Sequence, residues 1–238
     1  PSSYERFNIK NKNKKKLKDF VNKIKSGKEV GSKQYIPESN KFFIRTKAIQ
    51  QEYVLLDFNS ESIIPIKPFS FKELNLKKDE ILITKDSNIG EVVYLNEDYP
   101  NSMLSAGIKS LTIQEENRFY LFAFLKNYFF KKQLELLLPR GSTLKHAKEK
   151  FLECYIPFPN QEITRNELSS LSKEWIKKEY TLKKEFDEIN TLFEEEINEN
   201  QKSKKFLFNS ATYKEISKSL RLDVGTYSEE FKSILHKI

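Results

Sequence analysis

The chain of 238 residues holds one cysteine, Cys154, and two histidines, His146 and His236. A lone cysteine excludes an intrachain disulfide and fits a reducing, cytoplasmic setting. Three such residues cannot build an ordinary Cys/His zinc site, so neither a metal nor a cofactor is expected. Glycine is scarce at six residues, which makes each position of special backbone freedom informative. No apolar run reaches membrane length: the longest patch, around Phe119 to Phe130, is interrupted by Lys126 and Asn127. The first residues also lack the apolar core of a secretory signal.

Catalytic signatures are missing too. There is no Gly-x-Ser-x-Gly elbow, no Gly-x-Gly-x-x-Gly turn and no Asn/Asp-Pro-Pro-aromatic tetrapeptide of adenine methyltransferases. The stretch Gly27-Lys28-Glu29-Val30-Gly31-Ser32-Lys33 has the wrong glycine spacing and order for a phosphate loop. Asp79, Glu80 and Asp86 near Lys85 supply acids and a cation, in an order unlike the Asp…Glu-x-Lys of nucleases. The expected role is non-catalytic.

What the chain has is positive charge in one place. Its net charge is +8, yet thirteen lysines and arginines face three acids between Lys10 and Lys47, a local +10 that leaves −2 for the remainder. A basic end on a near-neutral body matches phosphate binding, where contact releases condensed counterions. A solvated lysine run is the plainer alternative.

Periodicity gives the organisation. Leu17, Phe20, Val21 and Ile24 recur at helical spacing, so Lys14 to Ile24 is read as a short amphipathic helix ended by Gly27 as a left-handed cap. Lys41 to Ala48, Glu52 to Phe58, Glu80 to Thr84, Glu91 to Leu95, Ser110 to Ile113 and Cys154 to Ile156 read as strands, with Pro65 and Pro68 marking a turn or edge. Phe119 to Leu138 reads as an apolar helix closed by Pro139. The result is a mixed α+β domain to about residue 160. From Glu162 to Phe206 there is no glycine and no proline, and Leu168, Trp175, Leu182 and Ile189 recur every seven residues, with Leu171 and Leu192 in the companion position. An imperfect heptad of this length predicts a long helix with one apolar stripe, roughly 40 residues spanning ~60 Å. Phe186 belongs to that stripe, which needs a second helix or another protein to cover it. Ser210 to Ile238 reads as short helices broken at Gly225.

Three loops combine small residues, polar donors and cations: Lys25-Ser26-Gly27-Lys28, Lys85-Asp86-Ser87-Asn88 with Gly90, and Arg140-Gly141-Ser142-Thr143-Leu144-Lys145. Such loops can hold phosphate oxygens and also reach base edges, Arg or Lys to guanine and Asn to adenine. With the basic segment they give the candidate DNA contacts: Lys15, Lys16, Lys25, Ser26, Lys28, Lys33, Arg45, Lys47, Lys85, Ser87, Asn88, Lys109, Arg140, Ser142, Thr143 and Lys145.

The order of these pieces resembles the specificity subunit of type I restriction–modification systems, one target-recognition domain with its spacer helix. Lys16-Leu17-Lys18-Asp19-Phe20-Val21 through Ser26-Gly27-Lys28 is similar to that family's opening. Phe43-Ile44-Arg45-Thr46-Lys47-Ala48-Ile49 resembles its I-R-x-x-x-I strand, and Leu76 to Val92 its G-D-I-L…G-x-I-G hairpin, with Asp79-Glu80 in place of Gly-Asp and Ser87 where a glycine is common. Arg140-Gly141-Ser142-Thr143, Ile156-Pro157-Phe158-Pro159 and Gln161-Glu162 resemble its G-S-T…I-P-x-P…Q exit into the helix. Arg221-Leu222-Asp223 with Tyr227 resembles the start of a second repeat. The resemblance implies double-stranded DNA as ligand, one half of a split site per domain, and spacer helices that pair antiparallel and dock methyltransferase subunits alongside a restriction subunit. It implies a recognition domain over 1–160, a spacer helix over 161–206 and a second repeat or cap over 207–238. Either the chain pairs with a copy of itself or it is part of a longer one. A small nuclease or methyltransferase with its own recognition domain, and a coiled-coil interaction protein, are the competing readings.

Overall fold

The computed structural model describes residues 9–50, 52–138, 148–200, 212–220, 231, 234 and 235. The chain divides into two compact units, Pro1–Tyr180 and Thr181–Ile238.

The first unit is α+β. Its centre is an antiparallel sheet in the order β2 (Val21–Ser26), β8 (Ile108–Ile113), β5 (Ile81–Thr84), β6 (Val92–Tyr94). Every residue of β5 and β6 is buried, which explains why they read as unbroken apolar runs: both faces of the sheet are covered. The pleat sends Ile81, Ile83, Val92, Tyr94 and Leu111 into one cluster with α1 (Arg118–Leu125) and α2 (Tyr128–Leu137), whose Leu121, Phe122, Phe130 and Leu134 fill it. Leu82, Val93 and Ile108 enter a second cluster with Ile44 and Leu104. Those last two belong to a smaller sheet, β4 (Ile63–Pro65), β3 (Phe42–Ile44), β7 (Ser102–Leu104), in which β3 and β7 run parallel. Pro65 lies on its edge strand, where a missing N–H does no harm. Val30, Phe43, Ile66 and Met103 form a third cluster.

Several expectations need correction. Lys14 to Ile24 is not a helix but β1 (Lys14–Lys16), a 3-10 turn over Leu17–Phe20, and then β2. Tertiary pairing overrides the helical spacing: β1 takes register against β9 (Tyr155–Pro157), while Leu17 and Phe20 are buried from the turn between strands. Gly27 accordingly caps nothing, and Gly90 is the glycine with positive φ among those described. Glu52 to Phe58 contributes a single bridge, Leu55 to Tyr94, instead of a strand. The Phe119 to Leu138 helix is two helices: Asn127 accepts from the Phe129 N–H and starts α2. At the same joint the buried Lys126 ammonium donates to the carbonyls of Tyr53 (2.6 Å) and Val92 (3.1 Å). Burial pushes its pKa down from 10.5 to about 8.

Helix α3 (Glu162–Asn200) is continuous. Within the first unit, Ser172 and Ile176 are buried, and Glu179 Oε1 accepts the N–H groups of Val54 (2.9 Å) and Leu55 (3.1 Å). In the second unit α4 (Tyr213–Ser219) opens with a reciprocal cap, Thr212 accepting from the Glu215 N–H and Glu215 from the Thr212 N–H. Gly225 lies outside the described residues.

Candidate nucleic-acid interface

A short turn, Ser105-Ala106-Gly107, joins β7 to β8, and three distant segments close around it. The Lys28 N–H donates to the Leu104 carbonyl (2.9 Å), bringing the end of β2 alongside. The Ser105 N–H donates to the Ile44 carbonyl (2.9 Å), placing Arg45, Thr46 and Lys47 next. The Lys85 N–H donates to the Gly107 carbonyl (2.8 Å), adding the β5–β6 loop. Both glycines here answer to crowding. A Cβ on Gly27 would lie 2.0 Å from the Ser105 carbonyl oxygen, and one on Gly107 would lie 2.7 Å from Thr46 Cγ2.

The β5–β6 loop is itself pinned. Thr84 Oγ1 bonds the Asn88 carbonyl and accepts the Glu91 N–H, while the Gly90 N–H returns to the Thr84 carbonyl. Ser87 takes φ 65° and Gly90 takes φ 82°, which turns the loop tightly and leaves the Ser87 and Asn88 side chains in solvent. Lys28, Arg45 and Lys47 are exposed as well. Lys85 pairs with Asp86 (2.5 Å). Lys109 Nζ donates to Ser26 Oγ (2.7 Å) and reaches Glu149 (3.4 Å), four residues after Lys145. Candidate contacts far apart in sequence, Ser26, Lys28, Arg45, Lys47, Lys85, Ser87, Asn88 and Lys109, thus gather at one turn. Glu29 also reaches it, accepting from the Ala106 N–H (3.4 Å). Arg140, Ser142, Thr143 and Lys145 lie outside the described residues.

The remaining candidates sit elsewhere. Lys15 is exposed on β1 with its ammonium 4.7 Å from the Phe158 ring centre. Lys16 pairs with Glu153 (2.5 Å), and that hydrogen bond raises the lysine pKa and lowers the carboxyl's. Lys25 is drawn inward to Glu80 (2.5 Å), whose carboxylate also accepts from Ser110 Oγ (2.7 Å) and Thr112 Oγ1 (3.3 Å). Lys33 is exposed near Lys67, whose ammonium donates to its carbonyl. The acids Asp79, Glu80 and Asp86 take different partners, Asp79 bonding Arg118 and Tyr94. On α3, Leu168, Leu171, Trp175, Leu182, Phe186, Ile189 and Leu192 are all exposed, with the Trp175 ring still 6.3 Å from Phe122.

Sequence reasoning missed the turn that organises the cluster and the buried pairing of Glu80 with Lys25. The available signal for the turn was Gly107 after Ser105 and Ala106 in a glycine-poor chain.

A family model, the type I restriction modification DNA specificity domain, matches residues 9–198. The chain belongs to this family. The match takes in every strand described, the clustered loops and most of α3. Among solved structures, the type I restriction-modification S subunit from M. genitalium is 13% identical with a TM-score of 0.55, over 87% of this chain and 60% of that one. The HsdS subunit from Thermoanaerobacter tengcongensis is 14% identical with a TM-score of 0.48, over 77% and 43%. The type IIG restriction endonuclease BpuSI is 10% identical with a TM-score of 0.51, over 73% and 28%. The specificity domain described here therefore spans about half the length of the S subunits it matches. No curated protein matches it by sequence.

Proposed function

We propose that this specificity domain reads one half of a split DNA target with the loops gathered around Ser105-Ala106-Gly107. Exposed Lys28, Arg45 and Lys47 hold phosphates, and Ser87 and Asn88 face base edges; Arg140, Ser142, Thr143 and Lys145 join them. The observation that carries this reading is the convergence of three basic or polar segments, separate in sequence, on one rigid turn. Side chains fixed at both ends of a short loop lose little entropy on binding, which favours sequence discrimination over loose attraction.

Residues 1–160 are the recognition module, and 161–206 the spacer. The exposed stripe of α3 pairs with a second helix, from another copy or from a second recognition domain, and docks methyltransferase subunits. Methylation and cleavage belong to those partner chains and to a restriction subunit, in a cytoplasmic complex. Isolation of the native complex tests the assembly: a methyltransferase chain should accompany this one. Methyl transfer or cleavage by the purified chain alone would favour an enzyme instead.

A further inference from the structure

One side chain outside the cluster is placed against expectation. Phe69 is 78% exposed, more than any other large apolar side chain described up to Asn200. It is not on a loose tip. Pro68 precedes it in a 3-10 turn, Pro68–Ser70, closed by the Ser70 N–H on the Lys67 carbonyl (2.9 Å) and the Phe71 N–H on the Pro68 carbonyl (3.1 Å). On one side the Lys67 N–H is held by the Gln34 carbonyl (3.0 Å); on the other, Phe71 packs on the third core cluster and the Lys72 N–H reaches Met103 Sδ (3.4 Å). The ring therefore projects from a turn pinned at both ends.

Its surroundings are cationic. Lys67 Nζ lies 6.0 Å from the ring centre and donates to the Lys33 carbonyl (3.2 Å), while Lys41 stands 4.5 Å over the Phe71 ring. Lys33 and Lys72 are exposed; Glu38 and Glu73 are the exposed acids of the neighbouring segments. Met103 is buried and Phe71 packs on the third cluster, so neither of them projects beside the Phe69 ring. The segment from Lys28, anchored at the readout turn, to Gln34, anchored on Lys67, links this site to the loop cluster. A single ring among lysines matches nucleic acid, which offers an apolar base face flanked by phosphates.

We propose that Phe69 is an aromatic wedge that packs against base faces of bound duplex DNA, with Lys33 and Lys67 on the flanking phosphates. This rests on the DNA-reading function above. Base contact at this point opens a step of the stack and bends the duplex, favouring easily unstacked pyrimidine–purine steps.

The test uses the full chain and a fluorescein-labelled duplex of about 30 base pairs containing TA steps, titrated over a salt series. Phe69→Ala should weaken binding roughly five- to hundred-fold, with an unchanged salt slope because the ring displaces no counterion, and with unchanged melting temperature. Lys67→Ala should instead flatten the slope. Phe69→Trp should bind well, and its added fluorescence, taken over that of the parent with Trp175 alone, should be quenched by DNA. The wedge is refuted if Phe69→Ala binds like the parent, or if DNA leaves the Phe69→Trp signal untouched. Loss of a co-purifying protein with intact DNA binding would assign the ring to a protein contact instead. A parent chain that binds no duplex at low salt would remove both this proposal and the reading beneath it.

Discussion

Gly27 runs so close to Ser105 that a side chain there would have to occupy the position of a carbonyl oxygen. The neighbouring Leu104 carbonyl would lie 2.3 Å from the same Cβ. Both obstacles are backbone, so neither can rotate away. Gly27→Ala should lower stability by about 1–3 kcal/mol as β2 and the turn separate. Gly31→Ala, which meets nothing within 4 Å, should be close to neutral. Thermal melting of the two variants side by side checks this.

Lys25 and Glu80 form an ion pair whose side chains are 12% and 5% exposed. Removing one partner strands a charge in a poorly hydrated place. Lys25→Met should therefore cost about 3–5 kcal/mol, while Lys25→Met with Glu80→Leu should recover part of the loss. Denaturant titration of the two single variants and the double variant closes the cycle; additive losses would show that the pair is not coupled.

Lys126 gives a pH dependence of defined sign. Its folded pKa of about 8 lies below the ordinary 10.5. Below pH 8 both states carry the proton and the burial penalty is complete. Between pH 8 and 10.5 the folded state releases the proton first, so this group makes the fold more stable as pH rises, by on the order of 1–3 kcal/mol. Lys126→Met should lack that rise. Stability of parent and variant at the two ends of the window isolates the effect from other titrating groups.

The thiol of Cys154 is buried, and burial pushes its pKa up to about 12. It should resist alkylation in the folded chain and react once denaturant opens the first unit. Reaction at neutral pH without denaturant would contradict the burial of Cys154 in the first core cluster.

On α3 the pairing face can be separated from the core. Trp175 reaches Phe122, so replacing it disturbs both. Leu182 and Ile189 are 64% and 48% exposed in the second unit. Leu182→Ala with Ile189→Ala should weaken helix pairing or methyltransferase docking, roughly 1.5–3 kcal/mol for each side chain fully buried at the contact. The melting temperature of the first unit should hold. Sedimentation with and without the partner reads the outcome, and an unchanged assembly state would return the helix to the role of a solvated bridge.

The sequence showed the α+β class, most of the strands and the long helix because those signals are local: β5 and β6 are apolar runs, and α3 has no breaker between Glu162 and Asn200. It misled between Lys14 and Ile24. There the spacing of Leu17, Phe20, Val21 and Ile24 mimics a helix, while distant partners impose strands, β9 on Lys14–Lys16 and β8 on Val21–Ser26. The break at Lys126–Asn127 was visible as polar residues in an apolar run, but not as a helix start, since the Asn127 cap shows only in geometry. Single loops were legible as polar turns. Their convergence was not, because it depends on the parallel register of β3 and β7 and on the close pass of Gly27 at Ser105. Nor did composition distinguish Lys25, committed to Glu80, from Lys28, free to meet solvent.

In the proposed function the loops at Ser105-Ala106-Gly107 read DNA sequence. Repeated selection of bound duplexes from a random pool at moderate salt, with the full chain and its Asn88→Ala and Lys28→Ala variants, tests it most directly. The parent should enrich one short motif. Asn88→Ala should relax that motif at one position, at a cost of roughly 1–3 kcal/mol on the cognate duplex. Lys28→Ala should keep the motif, weaken every duplex alike and reduce the salt slope by about 0.9. A pool left indistinguishable from the input, or variants that select and bind as the parent does, would contradict the account.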